Sequence, residues 1–339
     1  MKLSTLLATA ATATVAMAGM AAAATLDDVK ARGELVCGVN TGLVGFSAPD
    51  ANGNWSGFDV AVCKAVAAAV LGDPNKVRYV GTSGQTRFTA LASGEVDLLA
   101  RNSTWTFLRE NDLKLTFIGV NYYDGQGFMV PKALGVTSAK DLEGATVCIQ
   151  TGTTTELNLA DYFMANGMSY QPVNIDSNAE GEQQFLAGAC DAYTTDVSGL
   201  ASTRAAFANP DDYVILPEII SKEPLGPAVR QGDDQWASIV RWTLYALIAA
   251  EEYGVTSANI EELARSSQNP EVRRLLGATD DLGAVLGLDA EWAKRAIAAS
   301  GNYGEIFAST IGEQTPIGLA RGLNAQWTQG GLLYAMPFR

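Results

Sequence analysis

Histidine is absent from all 339 residues of the chain, which excludes a Ser-His-Asp or Cys-His catalytic arrangement. Motifs that bind nucleotide phosphates are missing too: there is no P-loop, and no G-x-G-x-x-G follows a predicted strand. Carboxylates are plentiful, but no pair of them stands out as an acid/base dyad. The sequence thus gives no support for an enzyme, which stays the alternative to a non-catalytic protein, and no cofactor is predicted.

Long apolar runs are missing beyond the N-terminus, although hydrophobic residues make up 47% of the chain. We therefore predict no transmembrane helix. Residues 1–24 have the pattern of a secretory signal peptide, with Lys2 as the positive charge, a modest apolar segment, and small residues for cleavage before Thr25. An exported protein is expected. The alternative for this segment is an Ala-rich tail without a targeting role.

The four cysteines, Cys37, Cys63, Cys148 and Cys190, form no C-x-x-C pair, and without histidine no zinc or other metal site is predicted. An even number of cysteines in an exported protein favours two disulfides, for which three connectivities are possible. The cysteines divide two and two along the chain, which favours pairing the first two together and the last two together. Buried free thiols are the alternative.

The formal net charge of −14 makes nucleic acids and anionic membrane surfaces poor partners. Arginines gathered in one cleft can still form a local anion site. Predicted strands at 34–39, 76–80 and 94–99 alternate with predicted helices at 60–71 and 87–92, which is typical of a parallel α/β sheet. The length suits two domains of this kind.

One short pattern occurs in each half of the chain: glycine, two residues, aspartate, two apolar residues and a polar end, beginning at Gly94 and at Gly188. Two similar α/β lobes are the simplest explanation. Glycine-containing stretches at 122–130 and 223–232 are predicted to carry the chain between the lobes. The expected division is residues 25–125 and 230–339 for lobe 1, with a C-terminal helical extension, and 126–229 for lobe 2.

A polar cluster directly follows the predicted strand at 94–99. Asn102, Ser103 and Thr104 are typical of a helix start, where short side-chain oxygens accept from unpaired backbone N–H groups. Such N–H groups also bind anions, and Arg109 lies one to two turns further on with a guanidinium fork. This stretch therefore predicts a carboxylate site. An ordinary strand-to-helix connection with a surface arginine is the alternative.

A second stretch of this kind begins a helix in the other half of the chain. Thr153 and Thr154 follow a predicted strand, and Glu156 has capping-box spacing to Thr153. Asp196 ends another predicted strand, where it can accept from an ammonium. Because ligands of open α/β sheets bind beyond the carboxyl ends of strands, these residues together predict a site for an α-amino acid. An ordinary capping box is the alternative for residues 152–156.

In order and spacing, several motifs resemble the periplasmic amino-acid-binding proteins of ABC importers. The resemblance is greatest to the branch that binds general L-amino acids or glutamate, glutamine, aspartate and asparagine, and it extends over nearly all of residues 26–339. The motifs lie at residues 57–61, 93–97, 102–109, 152–156, 191–196, 301–305 and 320–324. The resemblance implies a two-lobed type II periplasmic-binding-protein fold, in which each lobe is a mainly parallel sheet flanked by helices and two hinge crossings join the lobes.

The resemblance also implies roles for individual residues. In lobe 1, Arg109 is expected to bind the α-carboxylate of the ligand, with Thr104 and Asn102 beside it. From lobe 2, Thr153 and Thr154 are expected to contact the same carboxylate.

Asp196 is expected to hold the α-ammonium of the ligand. Arg87 matches a position that meets the side-chain carboxylate in binders of acidic amino acids; a solvated helix residue is the alternative. Related proteins often carry an acidic residue at Asn40 and an aromatic residue at Leu43. These departures favour glutamate, glutamine, aspartate, asparagine or a broad range over basic ligands. Arg101 is left without a role.

The resemblance further implies a periplasmic monomer that captures an L-amino acid, closes around it and presents it to the inner-membrane permease subunits of an ABC transporter. An enzyme on the same fold, such as a cyclohexadienyl or arogenate-type dehydratase, is the alternative, although no positioned acid can be named for it. A signalling ectodomain is a third class, which no predicted transmembrane segment supports.

Overall fold

The computed structural model describes residues 24–339, so the predicted signal peptide lies outside the described residues except for its last position. The strands are β1 (Leu35–Asn40), β2 (Ala48–Pro49), β3 (Trp55–Ser56), β4 (Val77–Thr82), β5 (Leu98–Leu99), β6 (Leu115–Phe117), β7 (Tyr122–Asp124), β8 (Gln126–Pro131), β9 (Thr146–Gln150), β10 (Gln171–Ile175), β11 (Ala192–Asp196), β12 (Tyr213–Ile215), β13 (Glu223–Leu225) and β14 (Ala228–Arg230).

The helices are α1 (Thr25–Arg32), α2 (Phe58–Leu71), α3 (Arg87–Ala92), α4 (Phe107–Asn111), α5 (Thr154–Ala165), α6 (Asn178–Leu186), α7 (Val197–Ala206), α8 (Asp234–Glu252), α9 (Ile260–Ser266), α10 (Pro270–Leu275), α11 (Trp292–Ser300) and α12 (Tyr303–Thr310). Single 3-10 turns occupy Lys132–Leu134, Ala139–Asp141, Pro210–Asp212, Ala284–Leu286, Gly322–Asn324 and Trp327–Gln329. Within residues 24–339, no helix has both the length and the apolar character needed to span a bilayer.

Two five-stranded sheets share one plan. The first has the strand order β4-β1-β5-β14-β6, and the second has the order β10-β9-β11-β8-β12. β1 pairs in parallel with β4 and β5, whereas β14 runs antiparallel to β5 and β6. In the second sheet, β9 pairs in parallel with β10 and β11, whereas β8 runs antiparallel to β11 and β12. The predicted two-lobed fold with mainly parallel sheets is confirmed.

The two connections between the lobes lie side by side. β7 leads the chain out of the first lobe into β8, and β13 leads it back into β14. β7 and β13 form an antiparallel pair, in which Glu223 lies opposite Asp124 and Leu225 lies opposite Tyr122. Both predicted crossings are therefore present, and together they form one two-stranded ribbon.

Alternating side chains cover both faces of each sheet. In β8, Phe128 and Val130 pack into one apolar cluster, and Met129 between them packs into another. In β1, the neighbours Val36 and Cys37 divide in the same way between two clusters of the first lobe. Successive side chains of a strand point to opposite faces, so each sheet has a core on both sides. This two-sided burial explains why these strands are apolar almost throughout.

The predicted helix start at residues 102–104 is wrong. α4 begins only at Phe107, and Thr106 is its N-cap. The residues before it pair with the second crossing, because the backbone N–H of Trp105 donates to the carbonyl of Pro224 at 2.8 Å. Pairing with a distant strand has therefore overridden the local preference of short polar side chains for a helix start.

The C-terminal extension packs on the first lobe and reaches the ribbon. Arg295 of α11 donates to the carbonyls of Ala68 and Ala69 near the end of α2, both at 3.2 Å. Asn324 holds the backbone of β7, because its side chain accepts from the N–H of Tyr123 at 2.7 Å and donates to the carbonyl of the same residue at 3.0 Å. The extension is thus a support for one of the two connecting strands.

One disulfide lies in each lobe, and the pairs are Cys37–Cys63 and Cys148–Cys190, as predicted. They join residues 26 and 42 positions apart. Each covalent loop limits the entropy of the unfolded chain.

Replacing both cysteines of either bridge by alanine is expected to lower the free energy of unfolding by about 3–4 kcal/mol, the effect expected for loops of these lengths. Urea unfolding of Cys37→Ala/Cys63→Ala and of Cys148→Ala/Cys190→Ala, each against the wild type, measures the loss. The reduced wild type serves as the control for the chemistry of the substitution. An unfolding midpoint that does not move in either variant would contradict the expectation.

Candidate functional site

A small polar cavity, with free space of about 20 Å³, lies between the lobes, where the carboxyl ends of β5, β9 and β11 meet. Its lining residues are Arg87, Arg101, Asn102, Thr104, Gln150, Thr153, Thr154, Thr155, Thr195 and Asp196. Six of the predicted site residues are therefore brought together: Arg87, Asn102, Thr104, Thr153, Thr154 and Asp196. Asn40, Leu43 and Arg109 lie outside this lining.

The lobes are in contact around the cavity. Side chains of the first lobe donate directly to side chains of the second, Gln85 Nε2 to Thr151 Oγ1 at 2.6 Å and Asn40 Nδ2 to Asn178 Oδ1 at 3.2 Å. The hydroxyl oxygens of Thr104 and Thr154 also meet across the cleft, 3.2 Å apart. The structure is therefore a closed arrangement, with the two lobes in contact beside the cavity.

Three buried arginines give the cavity and its wall a positive character. The Nη1 of Arg87 donates to the hydroxyl of Ser103 at 3.3 Å, and the Nε of Arg101 donates to the carbonyl of Thr82 at 3.0 Å. Burial lowers the pKa of Arg101 to about 10, although Asp59 raises it. Burial, with the two other guanidiniums nearby, lowers the pKa of Arg87 well below its usual range. A bound anion would relieve this accumulation of charge.

Arg109 stands behind the cavity lining. Its Nη1 donates to the carbonyl of Thr104 at 2.9 Å, and its guanidinium lies over the ring of Phe88, 4.9 Å from the centroid. Burial lowers its pKa to about 10, so the side chain remains cationic at neutral pH. Within residues 24–339, its guanidinium donates to this one protein acceptor only, and the other N–H groups of its five-donor fork have no protein partner.

Acidic groups face the arginines. Asp196, at the end of β11, is buried, and burial together with Asp124 and Glu223 raises its pKa well above the usual value. Asp59 accepts from the backbone N–H of Asn102 at 3.0 Å, and burial raises its pKa to about 6. A cation beside Asp196 would favour its ionised form.

Two charged side chains of the cavity lining each have one buried atom without a hydrogen-bond partner. Among residues 24–339, the Nε of Arg87 and the Oδ1 of Asp196 have no partner, and both residues line the cavity. An unpaired buried donor or acceptor costs about 1–3 kcal/mol, and more for a charged group. Both side chains therefore have unused capacity for a polar partner, a donor on Arg87 and an acceptor on Asp196.

The N-terminus of α5 supplies backbone donors to the same cavity. Thr153 is its N-cap and accepts from the N–H of Glu156 at 3.2 Å, while its hydroxyl donates to the carbonyl of Gln150 at 2.6 Å. The carboxylate of Glu156 accepts from the N–H of Gly152 at 2.9 Å, so the predicted capping box closes one residue earlier than its spacing indicated. The N–H groups of the first turn have no intrahelical partner and can bind an anion.

Asn40 adjoins the cavity, because its Nδ2 donates to the side chain of Asn102 at 3.2 Å. Leu43 packs in the apolar core of the first lobe, and its part in a ligand pocket stays a prediction.

Four residues of the lining are not among the site residues predicted from the sequence: Arg101, Gln150, Thr155 and Thr195. Glu223, which is buried on β13 and accepts from the hydroxyls of Thr104 and Thr154, was read only as part of a crossing. The only sequence signal for a site role of Glu223 is its position, as an acidic residue at the start of a predicted hinge crossing.

Two mainly parallel α/β lobes, a ribbon that joins them and a closed, charged cleft define a solute-binding protein that encloses a small polar ligand. The chain belongs to the bacterial extracellular solute-binding proteins, family 3, whose profile matches residues 35–259. The C-terminal extension lies beyond the matched residues.

Curated relatives cover nearly the whole chain. The glutamate/glutamine/aspartate/asparagine-binding protein BztA of Rhodobacter capsulatus is 71% identical over 323 residues, which are 95% of this chain and 96% of the relative. The general L-amino acid-binding periplasmic protein AapJ of Rhizobium johnstonii is 59% identical over 324 residues, which are 95% of each chain. These relatives are named as binding proteins, not as enzymes, so the dehydratase alternative finds no support among them.

A solved structure with the same architecture is described as an ABC transporter/periplasmic binding protein from Brucella ovis with glutathione bound. It is 57% identical to this chain and superposes with a TM-score of 0.91, covering 94% of this chain and 100% of its own.

Proposed function

We propose that this chain is the solute-binding component of an ABC amino-acid importer. The observation that carries the proposal is the pair of unpaired buried atoms of opposite charge, Arg87 Nε and Asp196 Oδ1, in one closed cavity. An amino acid brings an ammonium and at least one carboxylate in a fixed arrangement. The names of the relatives, which specify glutamate, glutamine, aspartate and asparagine or general L-amino acids, agree with this chemistry.

In this proposal, the α-carboxylate of the ligand binds to the guanidinium of Arg109, beside Thr104 and Asn102. Thr153 and Thr154 contact the same carboxylate from lobe 2, through the free N–H groups at the start of α5. Asp196 holds the α-ammonium. The ligand thereby touches both lobes, and contacts that exist only in the closed form drive hinge closure as a population shift.

The side chain of the ligand extends toward Arg87, with Arg101 and Asn40 nearby. Two guanidiniums suit a carboxylate or an amide oxygen and disfavour a cationic side chain. We therefore expect glutamate, glutamine, aspartate or asparagine, or a broad range that includes them, as ligands.

The same proposal includes export by the signal peptide, a periplasmic location, a monomeric state and delivery of the ligand to inner-membrane permease subunits. The division into lobe 1 (25–125 and 230–339) and lobe 2 (126–229) is part of it, because closure needs two bodies that move about the ribbon. Small-angle scattering with and without ligand measures both the mass and the closure.

Calorimetric titration of the exported chain tests the proposal. The protein is unfolded, dialysed and refolded to remove bound solutes, and is then titrated with L-glutamate, L-glutamine, L-arginine and L-leucine. Saturable binding of glutamate or glutamine, with weaker binding of arginine, supports the proposal. In thermal unfolding, a ligand at a hundred times its Kd adds about 2.7 kcal/mol of stability, which gives a second readout. No binding of any of the common amino acids would overturn the proposal.

Arg87→Ala is expected to weaken L-glutamate binding at least tenfold more than L-glutamine binding, because it removes a buried cation that a neutral amide needs less. Calorimetry of both ligands on the variant and on the wild type measures the difference. Arg78→Ala, which removes an exposed arginine on β4, is the matched control. Equal losses for both ligands would remove Arg87 from the side-chain subsite.

Glutathione is a second candidate ligand, because the Brucella ovis structure is described with glutathione bound. Its γ-glutamyl end carries the α-ammonium and α-carboxylate of a free amino acid, so the same two contacts can hold it. Titration with glutathione beside L-glutamate decides between them. Competition for one site with a lower Kd for glutathione would make the peptide the preferred ligand.

A further inference from the structure

Glu223 is a buried carboxylate in the ribbon, only 1% exposed, with contacts on both lobes. Its Oε2 accepts from Thr104 Oγ1 of the first lobe at 2.5 Å and from Thr154 Oγ1 of the second lobe at 2.9 Å. Its Oε1 accepts from Ser221 Oγ at 2.5 Å and from Asn158 Nδ2 at 2.7 Å. Four donors thus occupy the acceptor sites of this carboxylate.

The two threonine hydroxyls have no proton left for a ligand. A hydroxyl has one O–H and two lone pairs, and a carboxylate oxygen is a stronger acceptor than a second hydroxyl, which favours both O–H groups pointing at Glu223. The hydroxyl oxygens of Thr104 and Thr154 are nevertheless only 3.2 Å apart. With both protons directed at Glu223, no hydrogen bond joins the two oxygens to each other. Each oxygen then has a lone pair available as an acceptor. A hydrogen-bond donor placed between or beside the two oxygens would satisfy both of them.

The cavity places a further acceptor beside this pair. Thr104, Thr154 and Asp196 line the same enclosed space, and the Oδ1 of Asp196 has no partner among residues 24–339. An ammonium has three N–H donors and no acceptor, so two hydroxyl oxygens and a carboxylate oxygen match it in number and in polarity. A ligand carboxylate, in contrast, would meet only lone pairs at the two hydroxyls and must bind through Arg109 and backbone N–H groups.

We propose that Glu223 is a positioning residue for the ligand ammonium: it turns the hydroxyl protons of Thr104 and Thr154 toward itself, so that both oxygens act as acceptors beside Asp196. The inference rests on the proposed function and refines it, because it assigns the threonine hydroxyls to the ammonium rather than to the carboxylate. The arrangement exists only when the lobes are closed, since one hydroxyl comes from each lobe. Glu223 thereby links the ribbon to recognition of the amino group.

The test compares L-glutamate with glutarate, which has the same two carboxylates and no ammonium. The affinity ratio of the two ligands is measured by calorimetry, with glutarate in competition against glutamate. Glu223→Gln replaces one carboxylate oxygen by an amide N–H₂, which, when it faces Thr104 and Thr154, donates to their oxygens and competes with the ligand ammonium for them. We expect the ratio to fall at least tenfold in this variant. A smaller change in the ratio, with both affinities reduced alike, overturns the inference and leaves only a structural role.

Three further variants separate the expected effect on the affinity ratio from effects on folding. Glu218→Gln changes a carboxylate that also accepts from a hydroxyl, that of Ser138 at 2.6 Å, but lies outside the cavity lining, and its ratio should match the wild type. Thr104→Val removes one acceptor and should lower the ratio, whereas Thr104→Ser should preserve it. If Glu223→Gln does not fold, the two Thr104 variants test the inference in its place. An unchanged glutamate-to-glutarate affinity ratio in Thr104→Val overturns it.

The outcomes for the inference and for the proposed function are distinct. A wild type that binds no amino acid at all overturns the proposed function. A wild type that binds L-glutamate while Glu223→Gln keeps the wild-type ratio overturns the inference alone.

Discussion

Arg109→Ala is expected to weaken amino-acid binding by about 2–5 kcal/mol, roughly thirtyfold to several thousandfold in Kd. The physical reason is that the variant leaves a ligand carboxylate buried without its bidentate partner. The wild-type guanidinium lies just behind the cavity lining, where its contacts with the Thr104 carbonyl and the Phe88 ring fix the fork while other N–H groups have no protein partner. Calorimetry with L-glutamate and L-glutamine measures the loss, which should be similar for both.

Arg109→Lys and Arg78→Ala are the matched controls for this result. A lysine keeps the charge without the planar fork, so Arg109→Lys should recover only part of the affinity. Arg78 is an exposed arginine on the first lobe that pairs with Glu34 at 3.2 Å, and its loss should leave affinity unchanged. Affinities of Arg109→Ala within a factor of three of the wild type would show that the α-carboxylate binds elsewhere.

Asp196→Asn is expected to act in opposite directions on binding and on stability. Binding should weaken by about 2–5 kcal/mol, because the ammonium of the ligand loses its buried counter-charge. The ligand-free variant should nevertheless unfold at a higher temperature than the ligand-free wild type. Burial raises the pKa of Asp196 well above its usual value, which means that its ionised form destabilises the folded state.

The raised pKa of Asp196 also determines how the stability difference between wild type and Asp196→Asn changes with pH. The folded protein binds a proton at Asp196 more tightly than the unfolded chain does, so the destabilisation is full above the raised pKa. The destabilisation decreases as the pH falls through that pKa, and it vanishes below 3.8, the ordinary pKa of an aspartate. The advantage in stability of Asp196→Asn over the wild type should therefore shrink on acidification. Urea unfolding of both proteins between pH 4 and pH 8 measures it.

Asp191→Asn is the control on the same lobe. Asp191 is exposed and accepts from the backbone N–H and the hydroxyl of Thr146 at 2.8 Å and 2.7 Å. Its amide variant should lose a little stability and no affinity. If Asp196→Asn behaved in the same way, Asp196 would be structural and the ammonium would have to bind at another acceptor.

Local patterns identified most of the architecture. Apolar strands, helix stops at glycine and the cap at Thr153 depend on residues close together in sequence, and the predicted helix at 60–71 matches most of α2. The repeated glycine-aspartate pattern also indicated two similar lobes, which the two sheets bear out. Strand length is harder to predict from local patterns. The sequence predicts a strand at 94–99, whereas β5 comprises only Leu98–Leu99.

Features that depend on distant pairing escaped prediction. The stretch before α4 looks like a helix start, but a backbone bond to Pro224 holds it extended. Arg101 follows β5 on irregular backbone, so the alternation of a strand does not tell which way its side chain points. The role of Glu223 depends on hydroxyls that lie 119 and 69 positions away in sequence, and no local pattern connects them.

The ribbon of β7 and β13 also bears on how reproducibly the site assembles. Two strands bonded side by side resist sliding and twisting more than two separate tethers would, so we expect the lobes to rotate mainly about one axis. Asn324 bonds one of these strands to the C-terminal extension and should help to fix where that axis lies. With a single rotational coordinate, the search for the closed geometry would be one-dimensional. Each closure would then return the same hydroxyls, guanidiniums and carboxylates to the same mutual distances.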